Sequence, residues 1–182
     1  MKISPLAMMA VAAFPATAGA SVITVGSGFA ESCYQAADAR NASRAAMEAC
    51  NHALTEQALT PDDRVATFVN RGILYLIRAN VKEANSDFDT ALALDPNEPE
   101  AWLNKAVAHA RFGKAVDALP LVQKALELKT RRPALAYFVR AMAYEDSGNI
   151  PAAYHDLKRA QALEPGWKEP AIELRRFQVR GG

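Results

Sequence analysis

One pattern is written three times along this chain. Ala84-x-x-x-Phe88-x-x-Ala91-Leu92-x-Leu94-Asp95-Pro96 lines up with Ala118-x-x-x-Val122-x-x-Ala125-Leu126-x-Leu128, and again with Ala153-x-x-x-Leu157-x-x-Ala160-x-x-Leu163-Glu164-Pro165. The copies stand 34 and then 35 residues apart. Sixteen residues before each leading alanine comes an aromatic, Phe68, Trp102 and Tyr137. A small residue follows four positions later (Gly72, Ala106, Ala141), and three beyond that stand Tyr75, His109 and Tyr144. Units of this length hold a pair of helices that cannot bury its apolar face alone, so neighbouring units must stack to make a continuous core. The small residues let two antiparallel helices approach, and the large ones fill the space beside them.

The order aromatic, small residue, tyrosine, alanine, large apolar residue, alanine and closing proline resembles the tetratricopeptide repeat. The resemblance implies an all-α, right-handed solenoid of antiparallel helix hairpins. It places repeats at Val65 to Glu98, Pro99 to Arg132 and Ala134 to Trp167, with Pro133 as a one-residue insertion. Ala46, Cys50, Ala53 and Leu54 follow the second-helix pattern, so residues 27–60 read as a degenerate first repeat without the aromatic, and Pro61-Asp62-Asp63-Arg64 as an insertion. Gly113 and Gly148 release the chain between helices, with Asn80 in that role where no glycine stands. Lys168 to Val179, with Ala171, Leu174 and Phe177 on one face, reads as the capping helix that the open end of such an array requires.

The N-terminus reads as a signal peptide over residues 1–20. Lys2 precedes an apolar run from Ile3 to Phe14, and Ala18-x-Ala20 offers a small-residue cleavage site after Ala20. The run is too short to span a bilayer. The expectation is a single domain over 21–182, soluble, with no membrane insertion after cleavage, in the periplasm or secreted. Only two cysteines occur, Cys33 and Cys50. In the repeat register they fall at facing positions of the first hairpin, and an exported protein meets oxidising conditions, so a disulfide is expected. The alternative is a pair of buried free thiols.

Net charge is +1, from 21 basic and 20 acidic residues, which gives no field to draw nucleic acid. His52, His109 and His155 each sit within helical pattern, and no phosphate loop, nucleophile elbow or metal-spaced pair accompanies them. No cofactor, no metal and no catalytic residue is expected: the reading is a non-enzyme. Instead the family resemblance implies a concave groove lined by the first helix of each repeat. It is carried here by Val69, Asn70, Ile73 and Leu76, by Leu103, Asn104, Val107 and Arg111, and by Leu135, Phe138, Met142 and Glu145. Members that grip a C-terminal carboxylate use Lys, Asn and Arg at positions that hold Val69, Ile73, Leu135 and Val139 here, with Asn104 agreeing. No such clamp is expected. The groove is largely apolar and suits a protein or peptide client, a second copy, or the residues from Ser21 to Gly26. The leading reading is an envelope adaptor. A self-assembling structural protein and a non-catalytic subunit of an envelope enzyme complex are the alternatives.

Overall fold

The computed structural model describes residues 2–3 and 28–178. Most of the expected signal peptide, its cleavage site and the segment from Ser21 to Gly26 lie outside the described residues. The described chain forms α1 (Phe29–Asp38), α2 (Arg44–Glu56), α3 (Pro61–Ile77), α4 (Val81–Leu94), α5 (Pro99–Phe112), α6 (Leu119–Glu127), α7 (Pro133–Asp146), α8 (Ile150–Leu163) and α9 (Lys168–Leu174). A 3₁₀ turn, Ala115–Ala118, precedes α6. β1 (Lys2–Ile3) and β2 (Phe177–Gln178) form a two-residue antiparallel ladder, Lys2 opposite Gln178 and Ile3 opposite Phe177.

Local chemistry sets the helix starts. Ser43 Oγ accepts from Ala46 N, Thr60 Oγ1 from Asp63 N and Asn149 Oδ1 from Ala152 N, each satisfying a donor that the first turn leaves over. Pro61, Pro99 and Pro133 each occupy the first helical position, where a missing N–H costs nothing. Two expectations are corrected by this rule. Residues 61–64 are the first turn of α3 rather than an insertion before it, and Pro133 begins α7 instead of standing between repeats.

Four helix ends share one device. After α1, α3, α6 and α7 the residues Arg40, Ala79, Lys129 and Gly148 take positive φ, of 56°, 59°, 60° and 79°. The next residue's N–H reaches back five positions, as in Asn41 to Ala36 O, Asn80 to Tyr75 O, Thr130 to Ala125 O and Asn149 to Tyr144 O. These are Schellman closures. Asn80 does not supply the left-handed residue of its turn: Ala79 does, and Asn80 precedes α4 at φ −84°. Gly113 also differs from expectation. Its φ is −123°, so no left-handed turn ends α5. The cause lies downstream, where Pro120 lacks an N–H and its ring would crowd the carbonyl of Val116 in a continuous helix. The stretch before it tightens to 3₁₀, and α6 starts at Leu119 with Pro120 in its first turn.

Each hairpin closes where small meets large. Gly72 of α3 lies against Phe88 of α4, and Ala84, Ala91, Ala106, Ala118, Ala125, Ala141, Ala153 and Ala160 are all buried along the same seams. One apolar cluster runs from Cys33 in α1 to Val139 and Ala143 in α7. A second, around Phe138, Ala141, Ala153, Leu157, Ala160 and Phe177, closes the C-terminal end. The cap is shorter than expected: α9 ends at Leu174, and after a turn Phe177 enters the ladder with its ring 6.0 Å from that of Tyr154.

Cys33 and Cys50 are joined by a disulfide that ties α1 to α2 with Cα atoms 4.8 Å apart. A cross-link of this span contributes about 3 kcal/mol by limiting the unfolded chain.

Candidate protein-binding face

Two residues along an α-helix are about 200° of rotation. Gly72 faces Phe88, its partner in the hairpin, so Asn70 points away from α4. The same offset turns Asn104 away from the seam residue Ala106, and Val139 away from Ala141. A row made of Asn70, Asn104 and Val139 therefore marks the side of α3, α5 and α7 opposite their second helices, with Val69, Ile73, Leu103 and Val107 beside it. Asn104 Nδ2 donates to Glu100 O at 2.8 Å, which fixes its amide.

The structure shows how open this face is. Asn70, Asn104, Val69, Leu103, Val107 and Val139 are fully buried, at 0% exposure, and Ile73, Leu76, Leu135 and Phe138 are buried as well. Arg111, Met142 and Glu145 alone among the twelve expected residues keep part of their surface. Two of the twelve are engaged at the C-terminal end. The Phe138 ring lies 4.9 Å from that of Trp167, and both Glu145 and Glu173 pair with Arg176. Sequence register overestimated the wetness of the strip, because register tells which way a residue points and not how exposed it is.

Charge gathers at one part of the molecule. The Arg40 guanidinium is pushed below its ordinary value by burial and then by the positive charges of Arg111 and Arg132, and burial lowers Arg111 too.

A second arrangement escaped the sequence reading. Three residues after each repeat aromatic stands a cation: Arg71, Lys105 and Arg140. Arg71 makes paired bonds of 2.8 Å to both carboxylate oxygens of Asp87, and Arg140 does the same to Asp156 at 2.6 and 3.0 Å. Each also donates to an amide on the preceding hairpin, Asn51 for Arg71 and Gln123 for Arg140. Tyr75 and Phe68 flank the first guanidinium, Tyr137 and Tyr144 the second. Where Leu121 replaces the aspartate of the hairpin, Lys105 pairs with Asp89 on α4 instead. Burial is the largest single influence on Arg71 and works against its charge, but the Asp87 hydrogen bond, the Asp87 charge and Tyr75 together outweigh it and leave the guanidinium above its ordinary value.

His52 lies 2.7 Å from Glu56 and stacks on Phe29 at 5.0 Å. His109 is half-buried on α5 and His155 exposed on α8. Among the described residues no cluster of His, Cys, Asp and Glu has the makings of a metal site, and no helix is long and apolar enough to cross a membrane.

No family model matches the sequence, and no curated protein matches it. Solved structures do. The first TPR domain of the human RPAP3 protein superposes with a TM-score of 0.57 at 27% identity, over 62% of this chain and 87% of that one. MamA from Desulfovibrio magneticus RS-1, residue 41 to its end, superposes with a TM-score of 0.63 at 18% identity, over 80% of this chain and 81% of that one. MamA of strain AMB-1 gives 0.61 at 18% identity. The protein is an all-α tetratricopeptide-repeat solenoid by fold.

Proposed function

We propose that this protein is a non-catalytic adaptor of the cell envelope that binds a protein client along the face of α3, α5 and α7 turned away from their hairpin partners. The fold supports a protein-interaction scaffold. The observation that supports the finer reading is that Arg111 and Met142 keep part of their surface on that face, beside the buried Val107 and Val139: a partly exposed apolar and cationic edge suits a segment of another chain. The envelope assignment rests on the charged, apolar and small-residue order of positions 1–20, and the Cys33–Cys50 bridge accords with an oxidising compartment.

The test is crosslinking in the native compartment followed by mass spectrometry, with Arg111→Glu and Met142→Lys as paired variants. These two side chains keep surface on the strip, whereas Leu103 and Phe138 are core and their replacement by charge would unfold the protein. A client captured by the parent chain and lost from the variants, at unchanged helical content, supports the adaptor. Capture that ignores both variants overturns the site.

A further inference from the structure

The joints between hairpins repeat one arrangement, and the first hairpin presents the receiving half of it. Cys33 meets Cys50 in its hairpin as Gly72 meets Phe88. Counted from those seam residues, Phe29, Ser32 and Ala36 hold in α1 the places that Phe68, Arg71 and Tyr75 hold in α3. The first repeat therefore carries its aromatic after all, at Phe29. On α3 this face receives the hairpin before it: Arg71 donates to Asn51 and Arg64 to the carbonyl of Leu54, both on α2. Phe68, Arg71 and Tyr75 are half-buried there, whereas Phe29 is 44% exposed and Ser32 is exposed as well. A groove of about 640 Å³ lies at this face between α1 and α2, with Phe29, Ser32, Ala36, Glu48, Ala49 and His52 in its lining.

The other end of the array carries a face that complements it. α9 packs on α8, with Pro170 buried and Leu174 in the cluster of Leu157. Lys168, Ile172 and Arg175 follow one another at steps of four and three residues on the opposite side, and all are exposed, Ile172 at 51%. Charge also separates the two ends. On α1 and α2 the exposed charges are Asp38, Glu48 and Glu56 against Arg44. Around α8 and α9 they are Lys158, Arg159, Lys168 and Arg175, while Glu164, Glu169 and Glu173 are part-buried. First helices already touch within the chain, α1 with α3, α3 with α5 and α5 with α7. An α9 from one copy set against α1 of the next extends that series, brings Ile172 to the groove of Phe29, and faces cations with acids.

We propose that the protein assembles head to tail, the outward face of α9 in one copy docking in the α1–α2 groove of the next. Such a contact is heterologous, so the end copies keep one groove and one tail open and the assembly grows beyond a dimer. It uses the ends of the solenoid, goes beyond the adaptor reading and does not rest on it.

The test is molar mass by light scattering, over rising concentration, on the chain purified from its own compartment. Mass that climbs past that of a dimer, and falls as ionic strength rises, is the expected result. Two variants separate the ends: Phe29→Asp blocks the groove and Ile172→Asp the tail, both at exposed positions. Each alone should be monomeric at unchanged helical content. An equimolar mixture should form dimers and stop there, because one copy supplies an intact tail and the other an intact groove. A parent chain that stays monomeric, or that stops at a dimer, overturns the proposal. Assembly blocked by Phe29→Asp but indifferent to Ile172→Asp assigns the groove to a symmetric pair and overturns it too, as does assembly that ignores both variants. No client enters the measurement, so failure of the adaptor reading and failure of this one are separately visible.

Discussion

The ring of Phe88 lies so close to Gly72 that a Cβ built on residue 72 would stand 2.8 Å from Phe88 Cδ1 and 2.9 Å from Cζ. The ring is fully buried and cannot swing aside. Gly72→Ala raises helix propensity by about 1 kcal/mol but overpacks the seam at a cost of about 1–3 kcal/mol. A net loss of stability is expected, read as a lower urea midpoint. A neutral or higher midpoint would mean that α3 and α4 separate freely.

The opposite sign is expected at Ala79. This residue ends α3 at φ 59°, where a Cβ is disfavoured, and Gly148 fills the equivalent place after α7. Ala79→Gly relieves that strain and should raise stability by about 1 kcal/mol, net of the extra freedom of glycine in the unfolded chain. Thermal melting checks it.

Asp87→Asn and Asp156→Asn each leave an arginine, 18% exposed at its side chain, facing a neutral partner. Removing one member of a well-buried pair costs about 3 kcal/mol or more, and the partial exposure brings the expected loss down to about 2 kcal/mol. The two sites lie in separate hairpins, so their effects should add. A double variant no worse than either single one would show that the pairs are not independent.

Glu98 supplies a pH dependence with a definite sign. Burial, with the charges of Glu100 and Asp95, holds its carboxyl above the usual range, against the Glu100 N–H and Arg131. An acid raised in the folded state adds stability below its unfolded pKa and loses that contribution as pH rises through the folded value. Ionised Glu98 therefore opposes folding at neutral pH. Glu98→Gln keeps an oxygen for the Glu100 N–H, 3.0 Å away, and removes the charge. The variant should gain stability at pH 7 and show no gain below about pH 4, measured as urea midpoints across that range.

Reduction of Cys33–Cys50 should release about 3 kcal/mol from the first hairpin alone. Units of a solenoid are coupled to their neighbours, so amide exchange is expected to rise across α1 and α2 and to stay slow in α7 and α8. Uniform acceleration would show that the array melts as one piece.

The sequence made the hairpins legible because their seams repeat at one spacing, and it paired Cys33 with Cys50 because the register placed them face to face. The turn after α3 was misassigned for a physical reason. Asn is a common left-handed residue, but the Schellman bonds through Leu76 O and Tyr75 O put the positive φ one place earlier, on Ala79. The start of α3 at Pro61 was hidden by treating the repeat boundary as the helix boundary. The cations Arg71, Lys105 and Arg140 share the spacing of the seam residues, and a search for apolar periodicity passes over them. Burial of Asn70 and Asn104 lies beyond any register argument, since register gives the direction of a side chain and not its exposure.

The short α6 gives the array a mechanical character. Nine residues there stand where α4 and α8 each have fourteen, because the backbone before Pro120 is spent on a 3₁₀ turn. A stack of hairpins under tension behaves like springs in series, and the softest joint takes most of the strain. Under such a load the change expected first is a rearrangement of the Ala115–Ala118 turn, whose 3₁₀ hydrogen bonds have poorer geometry than those of the α-helices on either side.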